Sequence, residues 1–147
     1  RLPERSQQAV LRSLDDQGVR EIVDRFVDAW ERADVDAVVA MLTSDGAMTM
    51  PPLPTWYRGR EAVAAFLKGW PLSSDRRWRV VPIRANGQLA FGKYIWNRER
   101  EAFMAHSISV LTLDGEAIAE VTSFLGAELI PRFGLPEEID QAGDRND

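Results

Sequence analysis

The 147 residues contain no cysteine and only one histidine, His106. The first absence excludes disulfides, thiol nucleophiles and thiolate-bound metal, and the second leaves nothing from which to build a histidine metal cluster, so no cofactor is expected. No apolar run approaches the roughly 18 to 20 residues of a membrane-spanning helix. No charged-then-apolar leader opens the chain either, which makes a cytoplasmic setting without membrane contact the expectation. Positive charge is scarce: 18 Lys and Arg against 23 Asp and Glu give a net −5. Affinity for a nucleic-acid backbone comes mainly from neutralising phosphates, so this chain is not expected to bind nucleic acid itself. What is present, 45% hydrophobic and 28% charged residues, suits one globular domain.

Residues 2–14, LPERSQQAVLRSL, are polar apart from the anchors Val10, Leu11 and Leu14, and predict a tether with some helical content. Val19, Ile22, Val23, Phe26, Val27 and Trp30 then fall on one helical stripe, predicting a helix over about 17–32. Asp34 suits an N-cap for a second helix carrying Val35, Val38, Val39 and Leu42, ended by Ser44-Asp45-Gly46. A short strand, AMTM, leads into a loop with Pro51, Pro52 and Pro54. A third helix follows, with Val63, Phe66, Leu67 and Trp70 on its stripe and Pro71 at its end. From residue 77 the pattern is β-like: four strands in a meander, with turns at Asn86-Gly87 and Asp114-Gly115, and Pro82 marking an edge or a bulge.

Helices first and an antiparallel meander last predict an α+β fold, with N-terminal helices packed on a curved, mainly antiparallel sheet. Simple alternation across the Asp114-Gly115 hairpin puts His106, Ile108, Val110, Ala119, Val121, Ser123 and Leu125 on one face. Ser107, Ser109, Leu111, Leu113, Ile118, Glu120, Thr122 and Phe124 then share the other.

The element order resembles the cone-shaped SnoaL-like branch of the nuclear-transport-factor-2-like fold. More narrowly, LPERSQQAVLR, RFVDAWERADVDAVVAML, MTMPPLPTWYRGREAVAAFL, RVVPIRANGQLAFGKY, HSISVLTLDGEAIAEVTSFL and PRFGLP are similar to the C-terminal extension of a group of extracytoplasmic-function sigma factors of RNA polymerase. The resemblance covers residues 2 to about 139. It implies that 1–16 are an interdomain linker, 17–139 the SnoaL-like domain and 140–147 a disordered tail, and a start at Arg1 without methionine is what it leads one to expect of a fragment. It also implies a regulatory role. The partners would be the upstream sigma domains and, through them, core RNA polymerase and promoter DNA. The chain departs from the pattern at Gly126-Ala127, where such proteins often have Asp-Pro, which leaves one fewer carboxylate near the mouth of the cone.

Among candidate chemical groups, His106 lacks a nearby Asp in sequence and reads as a core or pocket histidine before a catalytic base. Glu120 reads as a rim or salt-bridged strand residue before a proton shuttle, and Asp45 as a turn residue. No catalytic residue is assigned. Arg77 and Arg79 alternate away from Arg84, so they predict solvated or carboxylate-paired arginines in place of a nucleic-acid track. The aromatics are more telling: a pocket for a small apolar ligand is expected between the sheet and the proline loop, lined by Met50, Trp56, Tyr57, Trp78, Tyr94 and His106, with the loop holding Trp56 and Tyr57 as a lid. A docking surface is expected at Leu129, Ile130, Phe133 and Leu135, meeting the upstream domains or a second copy. Three function classes remain open at this point: a regulatory domain of a sigma factor, a small-molecule enzyme of the cyclase, isomerase or epoxide-hydrolase kind, and a stand-alone ligand-binding or dimerisation module.

Overall fold

The computed structural model describes residues 4–85 and 87–140, without the side chains of residues 4–6, 84 and 85. The expected tail from 141 onward, the first three residues of the expected linker, Asn86 of the expected turn and the side chain of Arg84 lie outside the described residues. The chain opens with three helices, α1 (Glu4–Ser13), α2 (Asp16–Glu31) and α3 (Val35–Ala40). Asp15 starts α2 by accepting from the Gly18 amide at 2.7 Å, and Asp34 does the same for α3 through Ala37 at 3.0 Å. The α2 stripe buries Ile22, Phe26 and Trp30 as its periodicity predicts. Helix α3 stops short of Leu42 because the Met41 carbonyl is already taken by the Ile118 amide, at 2.8 Å, which pulls the chain into strand β1 (Leu42–Thr49).

The remaining elements are β2 (Trp56–Arg58), α4 (Arg60–Gly69), β3 (Trp78–Ala85), β4 (Gln88–Asn97), β5 (Ala102–Asp114), β6 (Ala117–Leu125), a 3-10 helix (Ala127–Phe133) and β7 (Glu138–Asp140). The sheet runs β2-β1-β6-β5-β4-β3, with β1 and β6 parallel and the other pairs antiparallel. Strand β7 pairs with Ala102–Met104 of β5, past the end of β6. Strand β3 is an edge, which is where Pro82 is tolerated. Among the described residues no helix is long and apolar enough to cross a membrane.

Two bulges decide which residues share a face, and the alternation expected from sequence misses both. Ile118 opposes Leu113 and Glu120 opposes Thr112, so Ala119 is an extra residue in β6. Beyond it Ile108 and Val110 face Phe124 and Thr122, away from the helices, while Val121, Ser123 and Leu125 oppose Leu111, Ser109 and Ser107 on the helix side. The second bulge lies in β5, where Lys93 opposes Ser107 and Tyr94 opposes Ala105, leaving His106 as the extra residue. The helix side carries the main core, including Phe26, Trp30, Leu67, Phe91, Leu111, Ile118 and Val121. The outer side carries a smaller cluster around Tyr94, Phe103, Ile108 and Ile130.

Helix α1 packs against this body. Val10, Leu11 and Leu14 pack on the main core, and the buried Gln7 side chain acts as a short strand substitute. Its Nε2 donates to the Leu113 carbonyl at 2.8 Å and its Oε1 accepts from the Leu113 amide at 2.7 Å, where β4 no longer reaches β5. Gly87 permits the approach: it has φ +67, and a Cβ there would lie 2.5 Å from the Gln8 side chain.

Candidate functional site

The helix side of the sheet is not sealed. Between it, α4 and the proline loop lies a partly open pocket of about 360 Å3 including its mouth, of which about 30 Å3 admits the centre of a water-sized group. Trp30, Met48, Met50, Phe66, Trp70, Pro71, Trp78 and Leu125 supply apolar wall. The ionisable or hydroxyl groups are Lys93, His106, Ser107 and Ser123, and no carboxylate is among the lining residues.

Each polar group arrives there for a local reason. Lys93 follows Phe91 by two on β4 and so points to the helix side, where it is 1% exposed. Its Nζ stands 3.1 Å from the Trp30 ring centroid and 5.1 Å from that of Phe26. It has no hydrogen-bond partner among the described residues, and neither does the buried Trp30 Nε1. Burial pushes the Lys93 pKa well below its ordinary 10.5, opposed by the attraction of the ring faces for the charged form. The β5 bulge turns His106 into the same space, edge-on to Trp78 at 5.1 Å, with its Nδ1 3.1 Å from the Ser107 hydroxyl. Burial first, and then the charges of Lys93 and Arg76, lower its pKa from 6.5. Ser123 is held by Ser109 at 2.7 Å, and Trp78 donates its ring N–H to the Pro71 carbonyl.

Of the residues expected to line a pocket, Met50, Trp78 and His106 come together. Tyr94 does not: one residue past Lys93 it points to the outer face, where its hydroxyl donates to the Pro136 carbonyl at 2.7 Å. Burial raises its pKa to about 12. Tyr57 stacks on Phe66 at 4.4 Å and backs the pocket wall without lining it. Trp56 is 54% exposed beneath Arg58, so the proline loop contributes Met50 to the site while its tryptophan faces solvent. The loop is anchored by the Leu125 amide, which donates to the Pro51 carbonyl at 3.0 Å.

The expected docking residues divide in the same way. Ile130 is fully buried on the outer face, with Leu129 and Leu135 packed beside it, so this segment covers its own sheet; only Phe133, 43% exposed, faces outward. Glu120 accepts from Thr122 and Thr49 on the outer face, away from the pocket, and Asp45 lies in the irregular start of β1. Arg77 and Arg79 lie over Trp96 and Phe103 in place of carboxylates. Sequence reading passed over Lys93. The signal was a single lysine inside the apolar run LAFGKYIW, on the parity of Phe91. Among the described residues no group of three or more His, Asp or Glu could hold a metal ion.

The comparisons with known proteins agree with this architecture. Over 130 residues the chain is 28% identical to the ECF RNA polymerase sigma factor SigG of Mycobacterium tuberculosis, covering 88% of this chain and 35% of SigG. It thus spans about a third of the length of the curated relatives it matches. An NTF-2 like protein from Burkholderia xenovorans superposes with a TM-score of 0.61 at 16% identity, over 77% of this chain and 86% of that one. The epoxide hydrolase/cyclase-like enzyme SalBIII, of pyran ring formation in salinomycin, gives 0.60 at 22% identity over 77% and 94%. These two likenesses show the fold. The family model described as the SnoaL-like domain matches residues 23–121, from within α2 into β6, and takes in every pocket-lining residue except Ser123 and Leu125; the chain belongs to the SnoaL-like domain family.

Proposed function

We propose that this chain is the C-terminal regulatory domain of an extracytoplasmic-function sigma factor, tuning transcription initiation through contact with the upstream sigma domains and through a small apolar ligand in its pocket. The observation that carries the reading is the similarity to SigG along 88% of the chain. The net −5 charge fits a part that meets protein or ligand, with promoter and core RNA polymerase reached through the rest of a longer cytoplasmic protein. Residues 1–16 would then connect the domains, α1 fixing where that connection leaves the body. The exposed side chains available for contact include Leu53, Trp56, Phe124 and Phe133, with Leu53 and Phe124 close in sequence to the Pro51–Leu125 hydrogen bond. A second copy of the chain could occupy the same surface.

A small-molecule enzyme is the second reading, supported by an amine and an imidazole lining one apolar pocket. Acid–base chemistry of the two-carboxylate kind finds no carboxylate there. The deciding experiment is transcription in vitro from the sigma factor's own promoter with full-length protein carrying Phe133→Asp, Trp56→Asp, or no residues beyond 16 of this domain. Altered output in the point variants supports the contact surface. Unchanged output in all three, at equal protein level, ends the regulatory reading. Deleting only residues 128–147 is a poor test, because it strips Ile130 from the outer cluster.

A further inference from the structure

We propose that Lys93 is a nucleophilic amine that takes a small apolar aldehyde or ketone as an imine inside the pocket. The inference deepens the ligand half of the reading above and does not need the transcriptional half. A lysine serving as surface cover keeps its ammonium in water along an apolar stem, and one serving as a structural cation has a carboxylate beside it. Lys93 does neither: it is 1% exposed, and among the described residues it has no hydrogen-bond partner and no Asp or Glu lines its pocket. A position that only needed filling would be served by Met or Leu at lower cost, since an unsatisfied buried polar group is destabilising. What the site offers is a buried amine held against the faces of Trp30 and Phe26, on a side chain that lines a partly open pocket together with Met50 and Trp70. Desolvation favours the free amine, the form that attacks carbonyl carbon.

The chemistry balances with the groups present. The Nζ lone pair forms a bond to the carbonyl carbon while the carbonyl π pair moves to oxygen. One Nζ proton passes to that oxygen to give a carbinolamine. The hydroxyl then leaves as water with the second Nζ proton, and a C=N bond remains. His106 suits the proton transfers: its ring lines the same pocket, its Nδ1 lies 3.1 Å from the Ser107 hydroxyl, and burial, the largest cause, lowers its pKa from 6.5, so it stands as an imidazole able to take a proton and pass it on. The space that admits the centres of water-sized groups, about 30 Å3, limits the reacting end to a few heavy atoms, with any longer apolar chain directed to the mouth. A carboxylate ligand is a poorer fit, because it would bring a charge into an almost wholly apolar space and require the lysine to be charged there as well.

The chain contains two lysines, Lys68 and Lys93, and Lys68 is exposed on α4, which provides an internal reference. The test incubates the 147-residue chain at neutral pH with butanal or benzaldehyde and cyanoborohydride, which delivers hydride to C=N and fixes it as a secondary amine. Peptide mapping by mass spectrometry then locates the adduct. Lys93 should label at least about 10-fold faster than Lys68 or the N-terminal amine. The preference should vanish when the chain is unfolded in guanidinium, disappear in Lys93→Met and Lys93→Arg, and fall about 10²-fold in rate in His106→Phe. Lys93 labelled no faster than the exposed amines in the native chain overturns the proposal, whatever the variants do. That outcome with promoter effects intact sinks only the imine. A Lys93 adduct in a full-length protein whose transcription ignores the domain sinks only the regulatory reading.

Discussion

The two faces of the sheet solve the same problem differently. On the outer face the polar groups among the described residues are met: Tyr94 bonds Pro136, Glu120 accepts from two threonines, and Arg77 and Arg79 lie over aromatic rings. On the helix side the packing is deeper, yet the two buried side-chain atoms without partners among the described residues, Lys93 Nζ and Trp30 Nε1, are found there. A protein optimised only for stability would reverse that distribution, because an unmatched donor costs most where the surroundings are driest. The helix side therefore carries the features of a site, and the outer side those of a cover.

The largest effects should come from the cores themselves, and they rank the faces. Phe91 is fully buried and meets Phe26 at 4.8 Å between ring centroids. Phe91→Ala should cost about 3–5 kcal/mol in urea unfolding. Ile130→Ala, on the outer face, should cost about 2–5 kcal/mol by the same mechanism, toward the low end because the 3-10 segment over it can settle into the space. If Ile130→Ala were instead silent, the C-terminal segment would be a loosely held flap, and the outer face would be free for a partner.

A smaller effect, of opposite sign, should come from the helix side. Lys93→Met keeps the shape and removes the unmatched amine, so it should stabilise by about 1–3 kcal/mol at neutral pH. The pH profile makes this specific. Lys93 has a folded pKa below 10.5, so the unfolded chain binds more protons below that value and stability climbs as pH rises toward it. His106 acts likewise at lower pH, with stability lost as pH falls below 6.5. Tyr94, raised from 10.0 to about 12, does the reverse: its contribution is present below 10 and is lost as pH rises through 12. Urea midpoints should therefore rise from neutral pH toward 10 and then decline, and Lys93→Met should flatten the rise alone. A rise of equal slope in the variant would mean that Lys93 is charged and content in the native chain.

The helices, the meander and the edge position of Pro82 were legible because each rests on local chemistry: helical stripes, Asp34 as a cap, and turn glycines. The faces of β5 and β6 were not. Alternation is a period-two rule, and single extra residues at Ala119 and His106 shift its phase without leaving a composition signal. Tyr94 was assigned to the pocket as one of the aromatics and Lys93 was overlooked, although they are neighbours on one strand and so point to opposite faces. Helix α1 read as a tether because its apolar stripe is thin, and its tightest anchor is an amide, Gln7, whose value lies in a partner 106 positions away. Trp56 and Phe133 were expected to act through their size. Their neighbours took the burial instead, Tyr57 against Phe66 and Ile130 against the sheet.

The smallest expected effect tests whether the outer face is a built layer or only a solvated surface. Arg77 stands 4.9 Å from the Trp96 centroid and 5.5 Å from that of Phe103, and Arg79 is 5.0 Å from Phe103. Trp96 and Phe103 pack edge-on at 5.1 Å, so two guanidinium groups cover one aromatic pair. At an exposed site such a contact contributes about 0.5–1 kcal/mol, more than the few tenths expected of an exposed helical pair such as Arg32–Asp28. Arg77→Ala alone confounds the contact with the lost side-chain stem. A double-mutant cycle with Trp96→Leu separates them and should return a coupling of about 0.5–1 kcal/mol. The coupling should change little between low and moderate salt, because the cation touches the ring face and little electrolyte lies between them, whereas the Arg32–Asp28 coupling should shrink. Zero coupling at Arg77 would make these arginines solvated surface after all, and the contrast between a satisfied outer face and an unsatisfied inner one would then rest on Tyr94 and Glu120 alone.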